Sequence, residues 1–170
     1  MSFAMRAQVE FRWLSPLGIA VGLFLLYGIW LVLAGILFPI YGRFGGSFRA
    51  LIASERTDTA TFGKRPAELL RDDSALATVR QAMADWLSGL WFCFGIMQIA
   101  LTWFGIRQGQ RWALWTVSLA DLGMIPFVGL YLQPVLQARA PLSLADPPPI
   151  LMFTVFVVPV AVVLAWLGSV

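Results

Sequence analysis

Four stretches of this chain, residues 17–40, 86–106, 112–132 and 150–167, are long and apolar enough to cross a lipid bilayer. They leave few other ways for it to fold. A spanning helix needs about 20 apolar residues, and it alone satisfies its own backbone N–H and C=O groups in lipid. Three of the four stretches contain no Asp, Glu, Lys or Arg, and the third contains only Asp121. Charged residues make up 12% of the chain, about half the ~25% of a soluble domain. The expected fold class is therefore all-α: an integral membrane four-helix bundle, one four-span domain over residues 1–170. Residues 41–85 form a long helical or irregular extramembrane loop.

Local signals set the ends of these spans. Ser15 is a natural N-cap, and Pro16 suits the first helical position. Pro147, Pro148 and Pro149 precede the fourth span and cannot prolong an earlier helix. The first apolar run is longer than the ~7–15 residues of a signal-peptide core, and no small-x-small cleavage site follows it. It reads as a retained span. The leader "MSFAMRAQVEFRWL" reads as an interfacial segment, with Phe3, Met5 and Trp13 available to headgroups.

The first loop is the only sizeable polar region. Gly42, Gly45 and Gly46 end the first helix, and Phe48, Leu51 and Ile52 make a short apolar patch. Good helix formers fill 67–84 after Pro66, with Asp72 or Asp73 as a cap. Leu76, Val79 and Met83 fall on one face, expected to turn to the membrane or the bundle, with Arg80 turned to water. The second and third spans close a tight hairpin through "RQGQR". The third and fourth are joined by a Pro-rich surface loop, and no internal repeat is present.

Several chemistries are excluded by composition. There is no histidine, which removes His-based acid–base work and haem ligation by His. The single cysteine, Cys93, allows neither an intrachain disulfide nor a Cys-pair metal site, and no metal centre is expected. No Walker loop, GxSxG or HExxH occurs. "FGGSF" is too short to cradle a phosphate and reads as a bend. The net charge of +3 is scattered along the chain, so nucleic acid is not an expected partner. Gly18 and Gly22 form a small-xxx-small pair suited to helix packing in lipid. Trp13, Trp86, Trp112 and Trp166 fall at span ends, as an aromatic belt does. Pro126 and Pro159 are expected to kink their helices and free carbonyls.

Asp121 is the residue that asks for an explanation. A carboxylate at bilayer depth costs ~2.5–3.5 kcal/mol on insertion scales, so it must face the interior, be protonated or find donors. Depth follows from helix rise. Asp121 lies ~15 Å, Gln98 ~14 Å and Tyr27 ~16 Å from the face that bears the N-terminus, at ~1.5 Å per residue. Three polar groups from three spans thus reach one level, and Asp121, Gln98 and Tyr27 are the candidate ligand-binding residues. The competing explanation is a polar layer that only fixes helix register.

The functions compatible with this pattern are few. The chain is expected to bind a lipophilic small molecule or to act as an accessory subunit of a larger membrane complex, with the bilayer itself and a second copy as further partners. The alternatives are a membrane-embedded enzyme on a lipid, isoprenoid or quinone, and an oligomeric small transporter using Asp121. No cofactor is indicated. Both termini are expected on one side. The face that bears them holds Arg6, Arg12, Arg107 and Arg111, whereas the opposite face holds seven basic residues in the first loop plus Arg139. The raw count favours the opposite face as cytoplasmic. The Arg-bearing tight turn and the short Arg-bearing leader favour the N-terminal face, which is the orientation expected.

Overall fold

The computed structural model describes residues 11–44, 51–142 and 153–169, and every regular element among these residues is helical. Helix α1 spans Pro16–Phe44. It begins where the capping signals place it: Ser15 Oγ accepts the Gly18 N–H at 3.1 Å and donates to the Arg12 carbonyl at 2.7 Å. Helices α2 (Glu55–Phe62) and α3 (Pro66–Asp72) are short and belong to the first loop. Helix α4 runs over Ser74–Phe104, with the Asp73 carboxylate accepting the N–H groups of Ala75 and Leu76. The lead-in expected before residue 86 and the span after it are thus one continuous helix. A 3₁₀ turn, Ile106–Gln108, and left-handed Gly109 (φ 72°) close the hairpin. Helix α5 spans Arg111–Gln137 and contains Pro126 and Pro134.

A π turn, Phe153–Val157, leads into α6, Val158–Gly168. Pro159 sits in the first turn of α6, where its missing N–H breaks no α-helical bond. Residues 150–152 of the fourth expected span, and Phe3 and Met5 of the leader, lie outside the described residues. Three helices are long and apolar enough to cross a membrane, within Pro16–Tyr41, Ser74–Gln108 and Arg111–Gln137; the fourth apolar helix, Thr154–Gly168, is shorter.

Helix α1 is the centre of the molecule. It packs most extensively on α4 and next on α6, while α5 is held more sparingly by α4 and α6. Val21, Phe24 and Tyr27 of α1, Ala113 and Val117 of α5, and Val158 and Ala165 of α6 form the buried core. The α1–α4 crossing is set by glycines other than the expected pair. A β-carbon at Gly95 would stand 2.7 Å from the Gly28 carbonyl oxygen, and one at Gly35 would stand 2.7 Å from the Ser88 carbonyl oxygen. Backbone therefore meets backbone at Gly28, Gly35 and Gly95, which a side chain would prevent. Gly22 has nothing within 4 Å of its β position, and Gly18 faces Arg12 and Trp13 of its own N-terminus. The Gly18–Gly22 face is thus not the helix interface.

The loop is tied down by a carboxylate. Asp58 is fully buried and accepts the backbone N–H groups of Leu51, Ile52 and Ala53. Tyr131 Oη donates to the Ile52 carbonyl at 2.7 Å, and Thr57 Oγ1 donates to the Pro141 carbonyl at 2.9 Å. These bonds fasten the start of the loop to the end of α5. Arg80 is half-buried, not turned to water as expected. Burial lowers its pKa, and the charge of Asp58 and the Tyr131 phenol oppose that shift. A guanidinium prefers a nearby carboxylate to bulk water when its stem is already covered by protein, which accounts for the inward turn.

Candidate functional site

The polar groups at mid-depth meet, but not as one triad. Gln98 on α4 and Asp121 on α5 are both buried, and Gln98 Nε2 donates to Asp121 Oδ2 at 3.0 Å. Tyr27 on α1 is also buried, but its hydroxyl shares a 2.9 Å hydrogen bond with Thr154 of the π turn. The layer is therefore two bonded pairs, α4 to α5 and α1 to the π turn. Thr154 was not a sequence candidate, although it is the only polar residue in the fourth apolar stretch. A lone hydroxyl in such a stretch was the available signal.

Two further residues extend the polar surface toward the hairpin. Ser118 precedes Asp121 by three residues and Thr102 follows Gln98 by four, so each shares a helix face with its neighbour. Among the described residues, Asp121 Oδ1, Ser118 Oγ and Thr102 Oγ1 are buried side-chain atoms with no hydrogen-bond partner. Buried polar atoms of this kind are few in native proteins, and each one needs a reason. Ser118, 5% exposed, also lines a groove of about 490 Å³ between α5 and α6. Trp115, Leu119 and Leu122 of α5 and Val162 and Trp166 of α6 form its walls. Trp115 and Trp166 meet edge to face at 4.7 Å, joining the two helices at the hairpin end.

Pro126 adds to the acceptors here. Having no N–H, it cannot give the Leu122 carbonyl its α-helical hydrogen bond. The groove is thus apolar along its length, lined by Ser118, whose hydroxyl is buried; the fully buried Asp121, three residues on, does not line it, and the Leu122 carbonyl is a free acceptor on the same helix. This set is richer in acceptors than in donors.

Three further aspartates are occupied locally. Asp73 caps α4, Asp72 lies within 4 Å of Lys64 and Arg71 at the surface, and Asp85 binds Arg43 at 2.7 Å. Among the described residues, no three Cys, Asp or Glu side chains converge as metal ligands would. Searches against protein-family models, curated proteins and solved structures found no match to this chain.

Proposed function

We propose that this chain is a small four-span membrane protein that binds a lipophilic molecule carrying a hydrogen-bond donor. The observation that carries this reading is the coincidence of an apolar groove lined by Ser118 with two buried, unpartnered oxygens beside it, Ser118 Oγ and, three residues on along α5, Asp121 Oδ1. A hydroxyl or amine on the ligand would meet these acceptors, and its apolar body would lie against Leu119, Leu122 and Val162. In this reading the four apolar helices form one bundle. Both termini lie on one side of the membrane, with the cytoplasmic side favoured, and Gln98 holds the Asp121 carboxyl in place.

The test is native mass spectrometry of the protein released from membranes in mild detergent. The wild type should carry a small lipophilic adduct. Ser118→Leu, which removes the hydroxyl and fills the groove, should lose most of it. Asp121→Asn should weaken retention while leaving the helical content unchanged. An adduct-free wild type, or retention indifferent to both substitutions, would overturn the assignment.

A further inference from the structure

Helix α4 is longer than a membrane requires. Its 31 residues rise ~46 Å, against ~30 Å of hydrocarbon. The Arg43–Asp85 ion pair, solvent-accessible on both partners, marks where the lipid ends. Residues 74–84 therefore stand beyond the hydrocarbon, still in the same helix. Leu76 lies nine residues before Asp85, ~14 Å further out along the axis.

This outer segment carries an apolar stripe that the described residues of its own chain leave exposed. Val79 is 55% and Met83 62% exposed, and Leu76 is exposed beside them. The stripe does not stop at the membrane. It continues through Trp86, Leu90, Cys93 and Met97, all exposed, with alternating steps of three and four residues. That is a heptad seam sustained over three repeats, the spacing by which two helices wrap around each other. Lipid can cover the inner part of such a seam but not Leu76 and Val79.

We infer that the α4 stripe is a self-association surface and that its partner is the α4 stripe of a second copy of this chain, paired parallel and in register. Two copies in one membrane share an orientation, so a two-fold pair brings each residue of the seam opposite its own counterpart. Any charge on the stripe would then face itself. Between Ala75 and Met97 the only charged residues are Arg80 and Asp85, and both are engaged within their own chain, near Asp58 and by Arg43. Ala82 and Gly89 flank Met83 and Leu90 on the exposed side and leave room for close approach of the helices.

Cysteine cross-linking of the full chain in native membranes tests this. Cys93, the only cysteine, is exposed and falls on the seam, so copper–phenanthroline oxidation of the wild type should yield a covalent dimer. In a Cys93→Ala background, Val79→Cys and Met83→Cys should cross-link several-fold more than Thr78→Cys, which is exposed but off the seam. Each of these sites is at the surface, so folding is spared. The yield should persist when the protein is diluted into excess lipid, whereas collisional cross-linking would fade. Equal yields at residues 78, 79 and 83, loss on dilution, or cross-linking to a different protein would overturn the inference.

Discussion

Asp121 shows how a single side chain can be located by depth yet understood only through its neighbours. Helix rise puts Asp121 and Gln98 within about 1 Å of the same level, and their 3.0 Å hydrogen bond closes that gap. An asparagine at 121 can still accept from Gln98 Nε2 through its amide oxygen. Asp121→Asn should therefore leave stability nearly unchanged. Asp121→Leu strands the Gln98 amide in a buried setting and should cost about 1–3 kcal/mol. Reversible unfolding in mixed detergent micelles measures both, and equal losses for the two variants would contradict the account. Tyr27 reaches the same depth but bonds Thr154, because depth sets level while rotation about the helix axis selects the partner. Asp58 was the residue least visible beforehand. Nothing in "SERTD" distinguishes an acid in a first helical turn from one that collects three loop N–H groups, since those donors converge only once the loop has folded back.

At the level of whole helices, the close pair is α1 with α4, and glycines decide it. Gly95→Leu would drive a side chain into the Gly28 carbonyl and the Val32 backbone. The two helices would have to separate, with an expected destabilisation of about 1–3 kcal/mol, as for overpacked cores. Gly22→Ala, with open space at its β position, should be nearly neutral. The same unfolding measurement compares them, and a reversed order would show that the crossing lies elsewhere. The small-xxx-small pattern of Gly18 and Gly22 was readable in the sequence and still pointed to the wrong face. Gly28, Gly35 and Gly95 carry no such short-range pattern: two are seven residues apart and the third is on another helix. The outer part of α4 was legible as an apolar face that either lies on the membrane or feeds straight into the second span, and the structure shows the second of these. The break between helices falls at Asp73, which ends α3 and caps α4, and α4 then runs unbroken past Asp85 to Phe104.

For the molecule as a whole, the decisive property is how many times the chain crosses the membrane. The four crossings proposed above would put Gly109, in the hairpin, on the side of both termini and Thr59, in the first loop, on the other. Single cysteines at these positions in a Cys93→Ala background, labelled with a membrane-impermeant maleimide from one side at a time, should react from opposite sides. Reaction of both from the same side would remove the four-span arrangement. The loose hold on α5 bears on this scale too. A helix packed sparingly against α4 and α6 leaves a groove beside it, whereas α1 and α4 pack backbone to backbone.

The sequence by itself determined the helical class, the three long apolar helices, the capping of α1 and α4, and the hairpin at Gly109. Each of these depends on residues within a turn or two of each other: apolar run length, a side chain accepting from the next N–H groups, a glycine free to take positive φ. It also determined the shared depth of Gln98 and Asp121, because rise per residue is constant. Only the tertiary structure decided the rest. Which glycines meet, that Tyr27 answers to Thr154, that Arg80 turns inward to Asp58, and that Ser118 opens onto a groove all depend on helix rotation and on which helix lies beside which. Those choices are made by packing between segments far apart in the chain, and no local period records them.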